Sequence, residues 1–206
     1  MSEARLLAQC ESLDWQSLLR VFAQFMRDVP EQLDLPAKAI RNKARAGELP
    51  EDVIPLLTTS LMTTKNTTVI VELAKALAAF GRKAQVAAPI LADKLRAMVV
   101  SDDADFWAFD GSLYAIAYLG GEHAETYLKE LEEEQERMPP VLRSEDLYQG
   151  TIPFEDREGL FYDTLERVRG ILESEDPGVW RQRRTDLETT QAAPSKALPA
   201  WLASVS

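Results

Sequence analysis

The chain of 206 residues holds 34 carboxylates but a single thiol, Cys10, and a single imidazole, His123. A disulfide framework or a zinc site needs several Cys or His ligands at defined spacing, so the chain supplies neither. The carboxylates can be tested against calcium. An EF-hand loop puts acidic groups at its first, third and fifth positions, glycine at the sixth and glutamate at the twelfth. Counting from Asp103, Asp105 fits, but Trp107 and Ala108 stand where the next ligand and the glycine belong, so the motif fails. Acid-base catalysis needs one carboxyl isolated in an apolar pocket beside another, and nothing in the sequence sets such a pair apart. Gly-rich phosphate loops, nucleophile elbows and metal-binding helix motifs do not occur. The expectation is a non-enzymatic protein with no metal and no cofactor. Cys10 reads as a buried filler and His123 as a surface or capping residue at a helix start.

Charge is the more informative property. The formal net charge is −11, a sign that repels a phosphate backbone and argues against nucleic acid as a partner. Residues 1–100 carry 13 basic and 11 acidic side chains, residues 101–180 carry 6 and 21, and residues 181–206 carry 4 and 2. The middle segment alone makes the protein acidic. Within it Asp102, Asp103, Asp105 and Asp110 surround one loop, and Glu130, Glu132, Glu133, Glu134 and Glu136 follow on one helix. These carboxylates read either as a solvated face with helix-capping groups or as a docking surface for a basic protein. Trp107, Tyr114 and Tyr118, with Gly111 among them, fall on one helical stripe that either packs between repeats or lines a groove. Lys38, Arg41 and Arg45 form a modest basic stripe that a solvated face explains. The fragment Leu198-Pro-Ala-Trp-Leu202 is apolar in a tail of small residues, and Leu198, Trp201 and Leu202 are candidates for a short docking motif.

These residues need elements to position them. Leu13, Trp15, Leu18, Leu19, Phe22, Phe25, Met26 and Val29 recur every three or four positions and predict a helix over residues 12–29, stopped by Pro30. A second follows Pro36 and runs to Gly47. Leu56, Leu57 and Leu61 stand behind Pro55 as Ile90, Leu91 and Leu95 stand behind Pro89, two prolines separated by 34 positions. Between them Val69, Ile70, Val71, Leu73, Ala74, Leu77, Ala78 and Phe80 predict a helix apolar on more than one face, hence flanked by two neighbours, and closed by Gly81. A third copy spans 105–137, with Gly120-Gly121 as its turn. Leu160, Phe161, Leu165, Val168, Ile171 and Leu172 predict a later helix, and Asp176-Pro177 starts another. Glu3, Glu11, Asp14 and Asp28 interrupt the N-terminal region, unlike a signal peptide, and no stretch approaches the roughly 18 apolar residues of a membrane span. The chain is expected to be cytoplasmic, without membrane contact.

An antiparallel helix pair repeated every 34 to 40 residues is the pattern of an α-solenoid. Ala76-Leu-Ala-Ala-Phe-Gly81, Ala84, Val86, Pro89-Ile-Leu91 and Val53-Ile-Pro-Leu-Leu57 resemble HEAT-repeat proteins, especially the short bacterial type related to phycobilisome-lyase repeats. The third copy departs from the pattern, because Leu128 or Lys129 falls where the proline belongs. The expected fold is all-α, a right-handed solenoid of antiparallel helix pairs: capping helices over 1–48, repeats over 49–138, an acidic loop with C-terminal helices over 139–190, and a flexible tail over 191–206. An irregular helical bundle is the alternative. The expected function is a scaffold or adaptor whose acidic segment binds a basic protein, with an immunity or inhibitor protein masking a nuclease's basic site as a special case. The resemblance also implies two enzymatic alternatives, a bilin lyase-type subunit and a DNA glycosylase-type enzyme, the latter opposed by the acidic charge.

Overall fold

Asp14 divides the N-terminal region into two helices. The computed structural model describes residues 3–29, 32–100, 106–134 and 154–174, and contains no strand among them. A helix that the apolar spacing does not announce, α1 (Glu3–Ser12), precedes α2 (Trp15–Asp28). Asp14 Oδ1 accepts from the Ser17 N–H at 2.9 Å and Oδ2 from the Ser17 hydroxyl at 2.7 Å, which satisfies a donor that the first turn of α2 leaves without an intrahelical partner. α3 (Asp34–Arg45) carries Pro36 buried in its first turn. It closes at Gly47, whose φ of 73° lets Glu48 N–H donate to Lys43 O at 2.9 Å and Gly47 N–H to Ala44 O at 3.1 Å. That is the paired closure glycine permits at a helix end.

The next two pairs share a device. A 3-10 segment, Glu51–Val53 or Gly81–Ala87, leads into α4 (Ile54–Thr63) and α6 (Ala88–Val99), with Pro55 and Pro89 in the first turn, where a missing N–H breaks no hydrogen bond. Between them lies α5 (Thr67–Ala78), started by Asn66, whose Oδ1 accepts from Val69 N–H at 3.2 Å. Gly81 (φ 59°) opens the 3-10 segment rather than capping α5, which ends at Ala78. α7 (Phe106–Leu119) and α8 (Glu122–Glu134) are joined by Gly120 and Gly121, both at positive φ. α8 has neither the leading 3-10 segment nor the proline. α9 (Phe154–Glu173) completes the described helices. The helix expected after Asp176-Pro177 and the tail over 191–206 lie outside the described residues.

Helix α3 packs on α1, α2 and α5; α5 packs on α3, α4 and α7; α7 packs on α5, α6, α8 and α9. The odd-numbered helices therefore touch one another in chain order, and so do α4, α6 and α8. Burial follows from this. Within residues 69–78 only Lys75 escapes it, because α5 has helices on three sides. Leu18, Phe22, Ile40, Leu57, Leu73, Leu77, Leu91, Leu95, Phe109, Leu113 and Ile116 are wholly enclosed, each contributing about 1.5–3 kcal/mol relative to exposure.

Candidate functional site

Polar side chains tie the odd-numbered helices to one another. Glu11 of α1 accepts from the Asn42 amide, whose Oδ1 accepts from Arg41 Nε at 3.0 Å and Nη2 at 2.8 Å. Arg41 Nη1 donates to Glu72 Oε1 at 3.1 Å and lies 2.8 Å from Oε2, an ionic contact in which Oε2 makes no well-aligned hydrogen bond. One turn further along α5, Lys75 lies across α7: a Cβ on Gly111 would sit 3.0 Å from its Cε and 3.4 Å from Val71 Cγ1. Asp110, beside that glycine, accepts from the Thr164 hydroxyl of α9 at 3.1 Å. So the three stripe residues Lys38, Arg41 and Arg45 do not form a uniformly solvated face. Arg41 is half-buried and spent on a cross-helix pair.

Helix α8 carries the acidic surface, and its period sorts the carboxylates. Ala124, Tyr127, Leu128 and Leu131 point inward and are buried. Glu130 is taken by Arg96 of α6, which donates from Nε at 3.0 Å and Nη2 at 2.7 Å while its Nη1 holds Asp93 at 2.8 Å. The same guanidinium lies 5.4 Å from the centre of the Tyr127 ring, a cation–π arrangement. Hydrogen bonding to Glu130 pushes the Arg96 pKa higher still. Burial drives the Tyr127 hydroxyl well above the usual tyrosine range; Arg96 opposes that shift and Glu130 adds to it. Glu132 is paired with Arg169 of α9. Glu122, Glu125 and Glu133 remain on the outward stripe, exposed and without an ion pair among the described residues, with Lys129 between them.

The sequence candidates divide accordingly. Glu133 is exposed, Glu130 is engaged within the chain, Asp110 and Tyr114 are half-buried, and Tyr118 is buried. The aromatic stripe is thus split, because neighbours on several sides of α7 leave only Asp110 and Tyr114 partly open among residues 108–119. Asp102, Asp103, Asp105, Leu198, Trp201 and Leu202 lie outside the described residues, as do the side chains of Trp107 and Glu134. Glu122 and Glu125 were not singled out from the sequence. Their positions relative to Ala124, Leu128 and Leu131 carry the signal that finds them.

His123 is exposed in the first turn of α8. Cys10 is half-buried, and burial, with Glu11 beside it, pushes its thiol pKa up, away from a reactive thiolate. Among the described residues no group of three or more His, Cys, Asp or Glu could hold a metal ion, and no helix is long and apolar enough to cross a membrane. No protein family, curated protein or solved structure matches the chain.

Proposed function

We propose that this chain is a non-catalytic interaction module, a right-handed HEAT-like α-solenoid acting in the cytoplasm, whose acidic C-terminal surface receives a basic segment of a partner protein. The ordered contacts among odd-numbered helices and among α4, α6 and α8 support the solenoid. The observation that carries the function is the outward stripe of α8. Arg96 and Arg169 neutralise Glu130 and Glu132, yet Glu122, Glu125 and Glu133 keep their charge exposed in the segment that sets the sign of the whole molecule. Carboxylates so placed steer a cationic partner and fix its register more than they add raw affinity.

The test is affinity purification with mass spectrometry at low salt and at about 0.5 M salt, where the screening length falls to a few ångströms. A partner held at low salt, released at high salt and lost by the Glu122→Lys/Glu125→Lys/Glu133→Lys variant is the expected result. A partner retained equally by the charge-reversed protein sinks the reading.

A further inference from the structure

The last described helix is held differently from the others. α5 is enclosed along nearly its whole length, whereas among the described residues α9 packs chiefly on α7 and α8. Its described contacts come from residues 164–172. Leu165, Val168 and Ile171 form a single buried apolar stripe. Thr164 donates to Asp110, Arg169 pairs with Glu132, and Leu172 O accepts from Arg82 Nη2 at 2.9 Å. The Arg82 contact crosses 90 positions of sequence and passes over Gly120. A Cβ there would fall 0.8 Å from Arg82 Nη1 and 2.0 Å from its Cζ, so any side chain at this position has to displace the guanidinium. A cation delivered to the last turn of a helix satisfies a carbonyl without an intrahelical donor and complements the helix dipole. Both charged ties are exposed and hence open to screening by salt.

We propose that α9 is a separable cover, latched at its last turn by Arg82 through the gap at Gly120, which opens while the rest of the unit stays folded and so releases Glu132 from Arg169. Its role rests on the acidic-surface reading above: Arg169 occupies within the chain a carboxylate that a basic partner would take. A helix held by one short apolar stripe and exposed polar ties belongs to the low-stability end of a fold, where local opening comes first.

Hydrogen exchange followed by mass spectrometry on the full chain tests this without any partner. Arg82→Ala and Arg169→Ala each remove an exposed side chain and leave the core intact. Each variant is expected to speed exchange of amides 165–173 about fivefold, the scale of one exposed charge-assisted tie, with amides 69–78 unchanged. Arg82→Lys, which keeps the cation but not the fork, recovers part of the protection. Raising salt to about 0.5 M does the same selectively to the wild type. Exchange of α9 and α5 at one common rate in all variants, or equal acceleration of both by Arg82→Ala, overturns the proposal. The charge reversal of Glu122, Glu125 and Glu133 judges the acidic-surface reading separately.

Discussion

Replacing Arg41 by Met is expected to destabilise the folded unit by about 3 kcal/mol, replacing Glu72 by Leu by about 1 kcal/mol, and making both changes by no more than about 1 kcal/mol. The asymmetry comes from what each side chain keeps. The Glu72 side chain is 11% exposed and Arg41 is its cation, 2.8 Å away. At an effective dielectric of about 20 that separation corresponds to roughly 6 kcal/mol of attraction, most of it offset by the desolvation of both ions. Without Arg41 the desolvation remains and the attraction does not. Breaking a buried pair from one side costs about 3–5 kcal/mol, and residual exposure sets the lower end here. Without Glu72 the guanidinium still has Asn42 Oδ1 at 2.8 and 3.0 Å and a side chain 16% exposed, so its loss is smaller. The double variant replaces the pair by apolar side chains between two helices whose neighbouring Ile40 and Leu73 are wholly buried. The assay is urea unfolding read by circular dichroism and tryptophan fluorescence, whose coincidence checks two-state behaviour. The cycle should return a coupling of about 3 kcal/mol. Costs that simply add, with coupling below about 0.5 kcal/mol, would show the pair to be effectively solvated and refute this account of how α3 is held to α5.

Leu77→Ala opens a cavity in the wholly buried centre of α5 and should cost about 3–4 kcal/mol in the same urea assay, whereas Val86→Ala, 64% exposed, should stay within about 0.5 kcal/mol. Gly120→Ala meets both the Arg82 guanidinium and a φ of 65°, for an expected loss of about 1–2 kcal/mol. Combined with Arg82→Ala it should cost less than the two losses added, because the methyl group then displaces nothing; thermal melts of the four proteins decide this. Hydrogen bonds from Ser17, side chain first and then backbone, hold the Asp14 carboxyl below its ordinary value of 3.8. Its contribution is therefore complete above that value and disappears as pH falls through the lower folded-state value. Asp14→Asn should remove this component of acid sensitivity, read from urea midpoints between about pH 5 and pH 2.5.

Helices whose apolar residues face a deep core were legible from spacing. Leu18, Phe22, Leu57, Leu61, Leu73, Leu77, Leu91 and Leu95 are all buried as their periodicity requires, and Pro55 and Pro89 sit in first turns. α1 was not legible because Leu6, Leu7 and Cys10 are only half-buried: its apolar face is too thin to stand out, and the Asp14 cap is easily read as part of the following helix. Gly81 misled for a different reason. Glycine at positive φ signals a break in the chain, but it does not say whether a helix closes there or a 3-10 segment opens. At the surface the cluster of glutamates on α8 was legible, yet which of them were spent was not. Arg96 and Arg169 stand 34 and 37 positions away from Glu130 and Glu132, so their pairing depends on how α6 and α9 lie against α8. Tyr118 shows the same limit, since a stripe becomes a groove only where no neighbour covers it.

The polar ties themselves bear on how the helices stack. Asn42 reaches Glu11 across 31 positions, Arg41 reaches Glu72 across 31, Lys83 reaches Glu51 across 32, Lys94 reaches Thr64 O across 30 and Arg96 reaches Glu130 across 34. Most of these ties are exposed and individually weak, so their energy is not the point. Their spacing is. Units stacked in chain order bring a residue beside its counterpart one unit away, at a separation close to the 34 positions between Pro55 and Pro89. An irregular bundle, in which later helices fold back onto earlier ones, has no reason to keep that separation. The ties of α9 are longer, spanning 37, 54 and 90 positions. A nearly constant separation in these ties, with longer ones at α9, is what the proposed stack of helix pairs requires of its first eight described helices. Disrupting a tie in α3 should accordingly be felt in α1 and α5 and leave exchange in α9 unchanged, as nearest-neighbour energetics demand. An Arg41→Met variant whose α9 amides exchange faster in step with those of α5 would place all nine described helices in a single cooperative core.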